Sequence, residues 1–123
     1  MQEVLEGGEV NPALAEYHLC HFMSHVLHFI RVVQDAGDYD IQQALTQICI
    51  GSDFDGLINP VWCCMTVTDM NKLKNAFRKN FMGYVRANKD MVKLPADFNI
   101  DSFTEQLFFK NGKNFILERL QLL

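Results

Sequence analysis

The chain has 123 residues, of which 49% are apolar, and carries a net charge of −4. That length allows one domain at most, and an acidic balance with no basic cluster argues against a nucleic-acid partner. No apolar run reaches spanning length, so no membrane helix is expected, and no secretory signal opens the chain.

Residues 1–10 are acidic and glycine-bearing and read as a loose arm. Asn11-Pro12 then marks a helix start, with Asn11 as cap and Pro12 at the first helical position. The spacing of Leu14, Phe22, Val26, Phe29, Ile30 and Val33 predicts a helix to about Ala36, closed by Gly37. His18, His21, His25 and His28 step by three, four and three residues. At 3.6 residues per turn they share one face, within a stripe of roughly 80°. Four imidazoles in register could bind a transition metal, but zinc sites normally draw on more than one element and no His-Glu-x-x-His pattern is present. A structural role is the plainer reading, with a metal site as the alternative.

Asp40 to Thr46 reads as a short helical or turn segment. Ile48-Cys49-Ile50 follows, a continuous apolar run that predicts a strand buried on both faces, with Cys49 as a small core residue. The run climbs into Gly51-Ser52-Asp53-Phe54-Asp55-Gly56, where Gly51 and Gly56 allow a sharp turn. In α/β folds, ligands bind at the carboxyl end of such strands. A turn whose carboxylates accept backbone N–H bonds is the competing explanation of Asp53 and Asp55. A calcium loop of EF-hand type would need a third oxygen ligand before the glycine and a closing glutamate, and the sequence has neither.

Asn59-Pro60 forces an extended or turning path. Thr66-Val67-Thr68-Asp69 offers caps for a long helix to about Asn88, with an apolar stripe of Met70, Leu73, Phe77, Phe81 and Tyr84. Lys72, Lys74, Arg78, Lys79 and Arg86 form its solvated faces. Leu94-Pro95 breaks the chain. Asp101 or Ser102 caps a third helix through about Phe109, with Glu105 early in it. Asn111-Gly112 makes a turn, and Asn114 to Leu122 forms the last helix. Cys20, Cys49, Cys63 and Cys64 make no Cys-x-x-Cys pair and read as free thiols of a reducing, cytoplasmic compartment.

Three of these segments, in order, carry a resemblance. Ile50 to Gly56 resembles the last barrel strand of the membrane-dipeptidase-like branch of the amidohydrolase superfamily. His25-Val26-Leu27-His28-Phe29-Ile30 with Ala36-Gly37 resembles the helix before that strand, and Asn111-Gly112-Lys113-Asn114-Phe115 resembles the closing Gly-Asn-Phe helix. The match runs from about Ser24 to about Leu120, and residues 57–100 read as an insertion containing the long helix.

The resemblance implies an α/β ancestry. The chain would be the C-terminal fragment of a (β/α)8 barrel, mostly helical, with the last strand at 47–56 and closing helices at 101–123. A whole barrel needs about 250 residues. The family's metal ligands (a His-x-Asp, a bridging glutamate, further histidines) lie on earlier strands, and this chain has no His-x-Asp. Its divalent metal, of zinc type, would therefore belong to the complete parent. Asp53 matches the family's strand-eight aspartate, which handles the proton of the attacking water. Asp55, Gly51, Gly56 and Asn59 would support the turn or the pocket rim. The implied substrate is a dipeptide or other small amide, and the chain alone would be inactive. The alternative is a non-catalytic helical interaction module that self-associates. In either case a lone strand has two unpaired edges, so Gln47 to Ser52 would pair with another copy or with further barrel segments.

Overall fold

The computed structural model describes residues 12–51 and 63–121. The predicted first helix is α1, Pro12–Ala36. Gly37 ends it at a φ of 73°, in the left-handed region where a side chain would be strained. Val26 and Ile30 are buried as the spacing predicts, but Met23 and Leu27 are buried with them, which widens the inward stripe. Residues 1–10 and the cap residue Asn11 lie outside the described residues.

Asp40 opens the short helix α2, Ile41–Leu45, by accepting a hydrogen bond from the Gln42 amide at 2.9 Å. Where the chain is described again, a single 3-10 turn at Val67–Asp69 leads into α3, Met70–Ala87. One Asp69 carboxylate oxygen accepts from both the Thr66 amide and the Thr66 hydroxyl, and the other accepts from Lys72. The Lys72 ammonium, foremost, holds the Asp69 carboxyl below the usual carboxylate range. Asn88 closes α3 by donating its side-chain amide to the Tyr84 carbonyl.

The last third departs from expectation twice. The cap of the third helix is Asn99, not Asp101 or Ser102: its side chain accepts from the Ser102 amide at 2.8 Å, and α4 spans Ile100–Glu105. The helix starts two or three residues earlier than expected, and Phe103 and Thr104 are buried in the core. Asn111-Gly112 is also no turn. A π-helical turn at Gln106–Lys110 joins α4 directly to α5, Asn111–Gln121. The wider turn carries an extra residue and resets the helix register. Leu107 and Asn111 are buried and Phe108 packs on the core.

α1 packs on α3, α3 on α4, and α2 on α1. At their junction lies an aromatic cluster. Phe77 stacks on Phe81 at 4.6 Å between ring centres, and Phe22, Phe103 and Phe108 approach Phe77 at 5.7 to 6.1 Å in edge or tilted orientations. Such pairs add about 0.5–1.5 kcal/mol each beyond the area they bury. The connection from α3 to α4 is tied back to α1 by the Gln34 side chain, which donates to the Lys93 carbonyl and accepts from the Lys93 amide. Of the lysines and arginines expected on solvated faces, Lys74 pairs with Glu105 and Arg78 lies 3.8 Å from Asp101, so they also bridge α3 to α4.

The chain is mostly helical, and no strand occurs among the described residues. Residues 47–51, expected as the first half of a barrel strand, form an irregular connection instead. A strand needs a neighbour for its amides and carbonyls. Among the described residues this segment's backbone is met by the Asn111 side chain at the Ile48 carbonyl and by the Ala44 carbonyl at the Gln47 amide, and by no strand. Cys49 correspondingly is exposed rather than a core residue, while Ile48 and Ile50 on either side are half-buried. That alternation is the pattern of a segment covered on one face, not two. Residues 52–56 of the expected strand lie outside the described residues.

Phe77→Ala removes the centre of the aromatic cluster and is expected to cost about 3–5 kcal/mol, read by denaturant unfolding. Glu105 is held below its ordinary value chiefly by its hydrogen bond from Lys74. A lowered folded-state value means that its contribution is fully present above the ordinary glutamate pKa of 4.5 and is lost as pH falls through the folded value. Lys74→Met should flatten that part of the stability–pH curve, measured by thermal unfolding between pH 3 and 6.

Candidate functional site

The residues that connect α2 to the Asp53 motif are positioned by one buried amide. Asn111, at the start of α5, is 7% exposed. Its side-chain Nδ2 donates to the Leu45 carbonyl at 2.8 Å and to the Ile48 carbonyl at 2.7 Å. Both acceptors sit where α2 has ended and no helical amide follows to pair with them. The same helix end is closed on its other side by Thr46, whose hydroxyl donates to the Gln43 carbonyl, and by the Gln47 amide, which donates to the Ala44 carbonyl. The exit path of residues 48–51 is thereby fixed against the opening of α5.

A cleft of about 430 Å³ opens beside this junction, with Thr46, Gln47 and Cys49 on one wall and Lys110, Asn114 and Phe115 on the other. Gly112 and Cys49 also line a smaller neighbouring pocket; a Cβ built on Gly112 would stand 4.0 Å from the Cys49 Cβ, an ordinary contact. Gly51 is exposed with open space around it. Asp53, Asp55, Gly56 and Asn59 lie outside the described residues. The cleft therefore marks where the chain enters the aspartate motif.

Thiol chemistry finds no support at the adjacent pair Cys63-Cys64. Burial pushes both thiols up, and the nearby Asp69 charge pushes Cys64 further. A raised thiol pKa leaves little thiolate to act as a nucleophile. The Cys64 Sγ instead contacts the Thr66 carbonyl and the Met70 sulfur.

Of the four histidines of α1, the structure brings two together. His21 Nε2 and His25 Nε2 are 3.1 Å apart on the exposed side of the helix. His18 is half-buried, with its ring 5.8 Å from that of Tyr17, and His28 is exposed. Among the described residues no group of three or more histidine, cysteine, aspartate or glutamate side chains could hold a metal ion. No helix among the described residues is long and apolar enough to cross a membrane.

No family model, no curated protein and no solved structure matches the chain. The residue missed by sequence reasoning is Asn111. Asn-Gly ordinarily signals a turn, and nothing local betrays that its amide serves carbonyls 66 and 63 positions away.

Asn111→Ala is expected to cost about 1–3 kcal/mol by leaving buried carbonyls unpaired. Asn111→Asp should be worse at neutral pH, because a carboxylate would face two carbonyl oxygens, and should recover in part at acidic pH. Urea unfolding of both variants at pH 4.5 and 7.5 checks this.

Proposed function

We propose that the chain is the C-terminal part of a metal-dependent amidohydrolase of the dipeptidase-like type, hydrolysing a small amide or dipeptide and inactive by itself. The observation that carries the reading is the Asn111 junction. Asn111, which opens the segment that resembles the family's closing helix, donates to the carbonyls of Leu45 and Ile48, in the connection that leads into Ile50, where another resembling segment begins. That is the neighbourhood expected of a last strand and the helix that closes a barrel over it. The irregular form of residues 47–51 fits the same reading, because a barrel strand acquires its ladder only from flanking strands.

In this proposal the Asp53 carboxylate accepts the proton of an attacking water and returns it to the leaving amine. Asp55, Gly51, Gly56 and Asn59 hold the turn that carries it. The resemblance also brings a divalent ion, zinc in type, to the complete parent. The described residues hold no group of three or more side chains that would ligate it.

A second reading, a non-catalytic helical module that pairs with a copy of itself, draws on α5. That helix packs against the π turn that precedes it, and Phe115, Ile116, Leu117 and Leu120 are exposed along it. Apolar surface of this kind is covered either by the missing parts of a larger core or by another chain.

The two readings separate experimentally. In the reading frame extended upstream, a His-x-Asp after an apolar strand is expected. Asp53→Asn in that longer protein should lower dipeptide turnover about 10²–10⁴-fold with unfolding unchanged. Unaltered turnover would remove Asp53 from the reaction. A monomer in sedimentation of residues 1–123 would eliminate the self-associating module.

A further inference from the structure

The geometry points to a copper(II)-binding site on the outer face of α1, in which His21 and His25 supply two of the ligands. Their Nε2 atoms face each other at 3.1 Å, and the two rings meet edge to face with centres 4.6 Å apart. Ligand nitrogens sit about 2.1 Å from a bound divalent ion, and a separation of 3.1 Å at that distance corresponds to an angle of about 95°. This is the cis angle of square-planar or tetragonal coordination, which copper(II) and nickel(II) prefer. Tetrahedral zinc would need the nitrogens about 3.4 Å apart. Among divalent first-row ions, copper also binds nitrogen sites most strongly.

Histidines four residues apart lie one turn along the same helix face, so the backbone holds the pair in register. Tyr17, one turn earlier, lies parallel to the His21 ring with centres 6.5 Å apart. The two Nε2 atoms share a hydrogen bond, so one ring carries its proton on Nε2 in the free chain. On binding, that proton would pass to Nδ1, each histidine would ligate as a neutral ring through Nε2, and water would complete the coordination. Both rings are exposed, so an ion reaches them without opening the core. The proposal does not depend on the hydrolase reading.

The test is copper(II) titrated into the tag-free chain, followed by electron paramagnetic resonance and by thermal unfolding. One tetragonal copper with hyperfine coupling to two imidazole nitrogens is expected, together with a raised unfolding midpoint, since an ion that binds only the folded chain stabilises it. His21→Ala and His25→Ala should each weaken binding by roughly tenfold or more. Alanine at these exposed helical positions preserves the helix, and far-ultraviolet circular dichroism verifies it. His28→Ala should leave the spectrum unchanged. A spectrum without coupling to two imidazoles, retention of it in both single variants, or equal loss in His28→Ala would overturn the assignment.

Discussion

The stack of Phe77 on Phe81 is the contact around which the helices are arranged. It sits on α3, and α1, α4 and the π turn each bring a phenylalanine to it. Because the cluster lies at one level of α3, the three partners are set at fixed heights along that helix. The capping at Thr66 and Asp69, the Gln34 contact with Lys93 and the ion pairs from Lys74 and Arg78 then fix what the rings leave free, namely the connections and the helix rotations. Each is individually worth little at the surface, yet they act on segments that the aromatic contacts do not reach.

The aromatic core and the Asn111 junction solve different problems. The first removes apolar area from water and is indifferent to direction. The second satisfies two carbonyls that no helix can serve, and it is directional to within a hydrogen bond. Together they position residues 48–51, one by covering Ile48 and Ile50 from beneath and the other by holding the backbone from above. The proposed catalytic aspartate would depend on both, although it belongs to neither.

Much of the helical architecture was legible in the sequence because it rests on local rules. Pro12, Gly37, the caps at Thr66–Asp69 and the Leu73–Phe77–Phe81 stripe all act within a turn or two of themselves. What was misread depends on distant partners. The strand expected at Ile48-Cys49-Ile50 needed neighbours that the described residues do not provide. The turn expected at Asn111-Gly112 was overridden because a helical Asn111 gains two buried hydrogen bonds. The cap of α4 is a local exception: it is Asn99, not Asp101 or Ser102, because the Asn99 side chain accepts from the Ser102 amide three residues on. At the candidate site the sequence located the aspartate motif and the histidine face, but burial and pairing distances had to come from the three-dimensional arrangement.

The π turn has a consequence for how this protein can vary. Its extra residue works as a phase adjuster between two helices that are otherwise one rod. The wider turn absorbs that residue, so excising one there would let the backbone relax to the ordinary pitch while the helices on either side keep close to their present orientation. A deletion within α5 itself would instead turn everything after it by about 100°. The π turn is thus the stretch where this run of helix can lose a residue with Asn111 still aimed at α2.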